Sequence, residues 1–428
     1  MTIIKPKDLK KHYSVAIVGG GQAGLSMSYY LQANNIDHIV IEKNDVMNAW
    51  KDKRWDSFTL VTPNWQCQLP GHLYAGDDPN GFMNKGEILD YLNNFAKKVN
   101  APTIINTTVS KVSGDYASGY SLETNSGTIS AEQVVIASGS YPVPIIPRMA
   151  EKIPSHIQQL HSEQYKNSQQ LNDGAVLVVG SGQSGAQIAE DLHLDGRKVF
   201  LATGDSPRCA RFYRGKDVVE WLNDMDYYNM PVAQHPLREG VRDNSNHYVT
   251  GRDGGRDIDL RQFATEGMEL FGLMDDFIAG EFHFTPNLAQ NLAQADKTYN
   301  NINRKIDAFI DKNNIEAPPG HLYEPAWEPE AERQRLALDG SDITTVIWCI
   351  GFQPDFKWID LPVFNGRGYP QHERGITPYK GLYFIGLPWL HTWGSARFSG
   401  IARDAEHVCS SITNVNLSQK VSSKLKTA

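Results

Sequence analysis

Gly19-Gly20-Gly21-Gln22-Ala23-Gly24 and Gly180-Ser181-Gly182-Gln183-Ser184-Gly185 are two copies of one glycine-rich turn, G-x-G-x-x-G. Each follows a short apolar run rich in β-branched residues, Val15-Ala16-Ile17-Val18 before the first and Val176-Leu177-Val178-Val179 before the second. Each also opens a segment containing Ala, Leu and Ile that reads as a helix. A strand–turn–helix of this kind presents backbone N–H groups and a helix N-terminus to a pyrophosphate. Two such turns predict two dinucleotide sites, and chemistry between two dinucleotides is usually redox chemistry.

Beyond the turns the two copies diverge. Asp37-His38-Ile39-Val40-Ile41-Glu42 is a second strand ending in a carboxylate, with Lys43 next. That acid lies about 20 residues beyond the glycines, where a ribose hydroxyl needs an acceptor. In the second unit, Lys198-Val199-Phe200-Leu201-Ala202 leads to Thr203, and Arg208, Arg211, Arg214 and Lys216 come just after. A carboxylate accepts hydrogen bonds from a free ribose and repels a 2′-phosphate, whereas guanidinium groups do the opposite. The first site is therefore expected to suit FAD or NAD. The second is expected to prefer NADPH, with Arg208 and Arg211 on its phosphate.

Composition narrows the function. The 428 residues have room for two or three domains, and 40% hydrophobic with 21% charged residues is ordinary for a globular protein. A net charge of −8 argues against nucleic acid or an anionic membrane as the main partner. No apolar run approaches the roughly 18 residues of a membrane span. The residues before the first strand carry no secretory signature, so a cytoplasmic location is expected. Cys67, Cys209, Cys349 and Cys409 are far apart and form no C-x-x-C, which disfavours a disulfide framework, a zinc site and a redox dithiol. No metal is expected.

Along the chain, residues 85–98 read as an amphipathic helix, with Ile88, Leu92 and Phe95 on one stripe. Residues 107–136 read as short β-structure, ending in an apolar strand that runs into Gly139. Pro142, Pro144 and Pro147 then mark a domain crossing. Asp253-Gly254-Gly255 reads as a hairpin turn, 260–273 and 286–313 as helical, and the proline-bearing 316–330 as a loop. Two late strands end in glycine, at Gly351 and Gly386. The predicted fold is α/β with two Rossmann-like dinucleotide-binding domains. Residues 1–150 and 341–428 form the first, and 151–340 form the second, with a helical and hairpin insertion at about 212–340.

In that order, the two turns, Glu42, the strand into Gly139, and the strands into Gly351 and Gly386 resemble the two-dinucleotide-domain flavoproteins. Within these the chain is most similar to flavin-containing (class B) monooxygenases and related NAD(P)/FAD-dependent oxidoreductases, over residues 13–405. The family fingerprint F-x-G-x-x-x-H-x-x-x-(W/F) is half kept, by His161 and Tyr165, with Ser155 and Ile157 in place of Phe and Gly. The resemblance implies FAD on Gly19, Gly21, Gln22, Ala23, Gly24, Glu42 and Lys43. Trp50, Thr62, Val109, Gly139, Gly351 and Gly386 would make further cofactor contacts. NADPH would bind Gly180, Ser181, Gly182, Gln183, Ser184 and Gly185. Asn64 is the best match to the asparagine such enzymes place beside the reactive edge of the flavin. His161 is left open between a catalytic and a structural role.

The implied reaction takes NADPH and O2, forms a flavin C4a-hydroperoxide, and passes one oxygen atom to a small organic substrate, at nitrogen or sulfur by preference. The alternative is a FAD-dependent reductase or dehydrogenase passing electrons to a quinone or a partner protein. A homodimer is compatible with the sequence, which fixes neither oligomeric state nor substrate.

Overall fold

The computed structural model describes residues 2–426. Strand β1 (His12–Val18) runs through the first glycine turn into helix α1 (Gln22–Ala33) and back along strand β2 (His38–Ile41). Helix α2 (Lys85–Val99) comes next, begun by a capping box in which Asn84 and Glu87 satisfy each other's backbone N–H groups. It leads to β3 (Pro102–Ile104), β4 (Val109–Asp115), β5 (Gly119–Thr124) and the ten-residue β6 (Gly127–Ile136). Strands β3, β2, β1 and β6 lie side by side and parallel. Residues alternate across β1: Val15 and Ile17 face the helices, while Ala16 and Val18 face the β4–β5 meander.

The second unit repeats the plan. Strand β7 (Gln158–His161) precedes β8 (Ala175–Val179), the second turn, α3 (Gln183–Leu194) and β9 (Val199–Ala202). Then come β10 (Glu269–Phe271), the hairpin β11 (Met274–Ile278) with β12 (Glu281–Phe284), the long helix α4 (Leu288–Asn313) and β13 (Arg335–Ala337). Strand β14 (Ile343–Trp348) enters the sheet between β7 and β8, giving the all-parallel order β7-β14-β8-β9-β10. Val176 and Val178 pack on α3, while Leu177 and Val179 meet the phenylalanines of the β11–β12 hairpin.

The chain then returns to the first domain. Strand β15 (Leu382–Phe384) pairs with the last three residues of β6, whose first half pairs instead with β5, and α5 (Ile401–Lys426) packs on α1. The two domain connections run together as an antiparallel pair, Val143–Pro144 against Phe352–Gln353.

Two expectations are corrected. The boundary expected at 341 falls beyond Trp348, because the apolar run 343–348 completes the second sheet. The stretch 260–273 is not one helix: Leu260–Thr265 is helical, Gly267 turns at φ +103°, and β10 becomes an edge strand. The expected insertion is thus interrupted by a strand of the sheet itself. The hairpin around Asp253 is present, closed by an antiparallel bridge between Thr250 and Arg256.

Burial also sets a pH response. Burial holds the imidazoles of His38 and His161 below their ordinary range and pushes His247 and His372 down to about 4. The unfolded chain, with histidines near 6.5, therefore binds protons that the folded chain refuses, so stability falls as pH drops from about 6.5 towards 4. Glu190 opposes this: burial raises its carboxyl to about 7, so it favours the folded state at low pH. Thermal melts are expected to show a lower Tm at pH 5 than at pH 7.5. The loss should steepen in Glu190→Gln.

Candidate functional site

Both turns sit at the C-terminal ends of parallel strands, and both leave a helix N-terminus without a side-chain cap. Gly19 has φ +115°, its N–H donates to the Ile41 carbonyl at 2.8 Å, and a Cβ there would lie 2.8 Å from the carbonyl carbon of Ala137. Gly21 caps α1, and a Cβ on it would meet nothing within 4 Å. Helix α1 has no acid in its first turn, so its end N–H groups and its dipole are available to an anion. Glu42 stands at the mouth of this turn. Its carboxylate accepts from the Gly20 N–H at 2.6 Å and from Asn44 N–H at 2.8 Å.

Of the remaining first-site residues, Gly386, Gln22 and Trp50 lie against the same turn. Thr107 N–H donates to the Glu42 carbonyl at 2.9 Å, which brings the start of β4 and Val109 alongside. Gly386, at φ +76°, approaches so closely that its Cβ would lie 2.8 Å from that of Ala23. Gly139 and Gly351 both have positive φ and open space where a Cβ would point. Gln22 is a brace: its amide donates to the Ala396 carbonyl and accepts from Trp50 Nε1, both at 3.2 Å. Lys43 is exposed, and Thr62 is half-buried.

The second turn has the same build. Gly180 has φ +102°, donates to the Ala202 carbonyl at 2.9 Å, and would place a Cβ 2.7 Å from the Cys349 carbonyl oxygen. Gly182 caps α3 with no side-chain hydrogen bond, and again no acid occupies the first turn. Ser181 Oγ accepts from Gly204 N–H at 3.1 Å, and Gln183 donates to the Val249 carbonyl at 2.8 Å. Ser184 and Gly185 continue into the helix.

Arg208 and Arg211 are not where a phosphate would meet them. Arg208 is 2% exposed, paired with Asp296 at 2.8 Å and stacked 3.8 Å from the Tyr323 ring centre. Arg211 is 1% exposed, paired with Asp217 at 2.6 Å, and donates to the Val61 carbonyl at 2.7 Å. Both guanidinium groups are interior struts. Thr203 is likewise turned inward, its hydroxyl donating to the Phe271 carbonyl at 2.8 Å.

Asn64 also differs from expectation. Its Nδ2 donates to the Asp78 carbonyl at 3.0 Å and its Oδ1 accepts from Met83 N–H at 2.8 Å, in a 3% exposed setting. Both ends of the amide hold the 78–83 loop in place. Asn64→Ala, which strands a buried N–H, is expected to lower stability in urea melts by about 1–3 kcal/mol. His161 is engaged within the fold. Its ring contacts the Gly351 carbonyl at 3.0 Å and Phe352 edge-on at 4.7 Å, tying β7 to the domain connection.

Residues 50–58 form the seam between the domains. Trp55 joins the second core, while Ser57 and Tyr165 donate to the two oxygens of Asp191 at 2.5 and 2.6 Å. The retained aromatic of the half fingerprint thus fastens the seam. Trp50 leans on Phe398 at 5.0 Å, and Arg54 lies over Trp50 at 5.0 Å and Phe58 at 5.4 Å. Arg54 and Arg397 carry no local sequence signal and were not among the expected site residues. All four cysteines are free, and burial raises Cys67 and Cys209 to about 12, which suits inert thiols. Among the described residues no cluster fits a metal ion, and no helix is long and apolar enough to cross a membrane.

Two uncapped glycine turns, each at the end of parallel strands in its own sheet and joined at one aromatic seam without a dithiol, define an oxidoreductase fold of the two-dinucleotide-domain type. The profile of the pyridine nucleotide-disulphide oxidoreductase family matches residues 16–243. An uncharacterized CzcO-like oxidoreductase of Geobacillus kaustophilus is 34% identical over 406 residues, spanning 94% of this chain and 98% of its own. The chain belongs to the pyridine nucleotide-disulphide oxidoreductase family and is a flavin-monooxygenase-like member of it. Among solved structures, a mutant flavin monooxygenase from Stenotrophomonas maltophilia superposes with a TM-score of 0.64 at 18% identity, over 95% of this chain and 99% of that one. The ornithine N-hydroxylase of Kutzneria sp. 744 gives 0.62 at 16%, over 95% and 100%. At these identities the likeness is one of fold.

Proposed function

We propose that this oxidoreductase is an NADPH- and O2-dependent FAD monooxygenase that oxygenates nitrogen or sulfur in a small organic compound. The observation that carries the reading is the pair of uncapped helix ends, at Gly21 and Gly182, on two domains that share one seam. The free N–H groups of α1 and α3 suit the pyrophosphates of FAD and NADPH respectively, and Glu42 at the mouth of the first turn would accept from a ribose hydroxyl. Bound FAD supplies hydride acceptance and the activation of oxygen. Trp50, Phe58 and Phe398 form an apolar wall beside the first turn, which keeps water from the seam. His161 stays neutral and bonded, and holds the connection in register instead of moving a proton. The isolated thiols favour oxygen over a disulfide as the electron acceptor. The likeness to an ornithine N-hydroxylase supports nitrogen as one target.

The test is to load the purified protein with FAD, supply NADPH and 18O2, and screen amines and sulfides by mass spectrometry. One 18O atom per product is the expected result. Failure to bind FAD would overturn the reading. Turnover yielding only hydrogen peroxide or reduced quinone would replace it with the reductase alternative.

A further inference from the structure

Residues 50–58 lie between β2 and α2, in the first domain's share of the chain, yet their aromatic side chains are divided between the two cores. Trp50 packs on the first core, and its Nε1 donates to Gln22 at the start of α1 at 3.2 Å. Trp55, 5% exposed, belongs to the second core together with Val178 and Ile188. Phe58 packs on both cores and meets Trp50 edge-on at 6.2 Å and Trp55 at 5.0 Å. The segment is a strap, fixed at one end beside the first glycine turn and at the other in the second domain.

One side chain of α3 takes hold of the far end. Asp191 is 9% exposed and accepts from three separate segments. Ser57 Oγ and Arg252 Nη1 donate to its Oδ1 at 2.5 and 2.7 Å, and the fully buried Tyr165 hydroxyl donates to its Oδ2 at 2.6 Å. Hydrogen bonds to a carboxylate are about twice as strong as neutral ones. Tyr165 and Arg252 belong to the second domain, so their bonds serve that domain's own fold. Ser57 belongs to the strap, and its bond crosses the seam. The other polar ties of the strap, Lys53 to Glu163 at 2.6 Å and Asp56 N–H to the Lys166 carbonyl at 2.8 Å, reach the domain link and not the nucleotide helix.

Helix α3 opens at the second glycine turn, and Asp191 stands about two turns further along it. Gln183, at that opening, donates to the Val249 carbonyl at 2.8 Å, in the same hairpin that sends Arg252 to Asp191. A displacement of the second turn therefore passes along a rigid helix to Asp191, through Ser57 into the strap, and through Trp50 to Gln22 at the first turn. From this chain of contacts we propose that Asp191 is a positioning residue for hydride transfer, holding the two glycine turns in register by its grip on Ser57. The inference rests on the proposed function for the transfer itself, in which a hydride, two electrons with one proton, leaves NADPH as NADP+ and reduces FAD. The tie is a property of the protein alone.

The experiment has two readouts. In protein without nucleotide, amide hydrogen exchange over residues 50–58 is expected to quicken about tenfold in Asp191→Asn, while the strands of both sheets keep their parental protection. In FAD-loaded protein, anaerobic flavin reduction at saturating NADPH is expected to slow by about tenfold, because an ångström of misplacement costs on the order of 100-fold. Flavin content and the Kd for NADPH should stay within about twofold of the parent. Ser57→Ala is expected to act in the same direction but less, and Asp191→Glu, which keeps the carboxylate, to recover part of the rate. If Asp191→Asn melts well below the parent, Ser57→Ala decides by the same readouts, since it leaves Asp191 its bonds to Tyr165 and Arg252. Unchanged exchange over the strap, or a loosened strap with reduction at the parental rate, overturns the positioning role. A fall in NADPH affinity that alone accounts for the slower turnover overturns it too. Parent protein that NADPH does not reduce overturns the proposed function and this role together. A parent that is reduced, with variants indistinguishable from it, overturns this role alone.

Discussion

Protein carrying Gly180→Ala is expected to purify yellow and yet stay oxidised when mixed with NADPH, while Gly19→Ala is expected to purify colourless. The two positions are equivalent in the repeat but serve different nucleotides under the proposed function. Gly19 and Gly180 have φ of +115° and +102°, a region in which any Cβ is strained, by about 1–2 kcal/mol. Space compounds the strain. The new methyl group would lie 2.8 Å from the Ala137 carbonyl carbon in one case and 2.7 Å from the Cys349 carbonyl oxygen in the other. Each contact is to backbone at the end of an adjacent parallel strand, so the turn itself must move. A shift that removes about 3 kcal/mol of pyrophosphate binding weakens affinity by roughly 100-fold. Flavin content by absorbance, and anaerobic flavin reduction by NADPH in a stopped-flow mixer, check the two halves separately. Loss of flavin from Gly180→Ala with retention by Gly19→Ala would reverse the assignment of the sites. Normal reduction of Gly180→Ala would remove the second turn from the nucleotide path.

Local chemistry decides the part of the molecule that is legible in its sequence. The glycines are demanded by positive φ and close backbone approach, the β-branched runs by burial on both faces of a parallel sheet, and Glu42 by its place at a strand end. The hidden part depends on partners far away in the chain. Arg208 and Arg211 come after the second unit as a phosphate-reading pair would, but Asp296 and Asp217 claim them, and 88 residues separate Arg208 from its partner. Asn64 has the right composition around it for a flavin contact, and only the folded 78–83 loop shows where its amide points. The expected boundary at 341 failed because an apolar strand ending in glycine suits either sheet, and register with β7 and β8 decides between them.

Arg208→Ala is expected to lose about 3–5 kcal/mol of stability and to leave the choice between NADPH and NADH unchanged in whatever protein remains folded. The guanidinium sits between Asp296 at 2.8 Å and Asp259 at 3.6 Å, with Tyr323 and Tyr299 on its faces at 3.8 and 4.8 Å. Arg261 shares Asp296 at 2.9 Å, so removing Arg208 leaves two half-buried carboxylates with one cation near them. Uncompensated charge in that setting is the large term. A residue that read a 2′-phosphate from solvent would behave oppositely, since its removal would lower NADPH affinity and barely move the melt. Arg208→Lys separates charge from shape. An ammonium keeps the charge but not the planar fork or the stacking between two tyrosines, so most of the loss should persist. Urea denaturation gives the stability, and kcat/KM for the two nucleotides gives the preference. If the Ala variant melts like the parent and its NADPH preference collapses, the arginine does reach the nucleotide. The basic loop after β9 would then be what its sequence position alone implies.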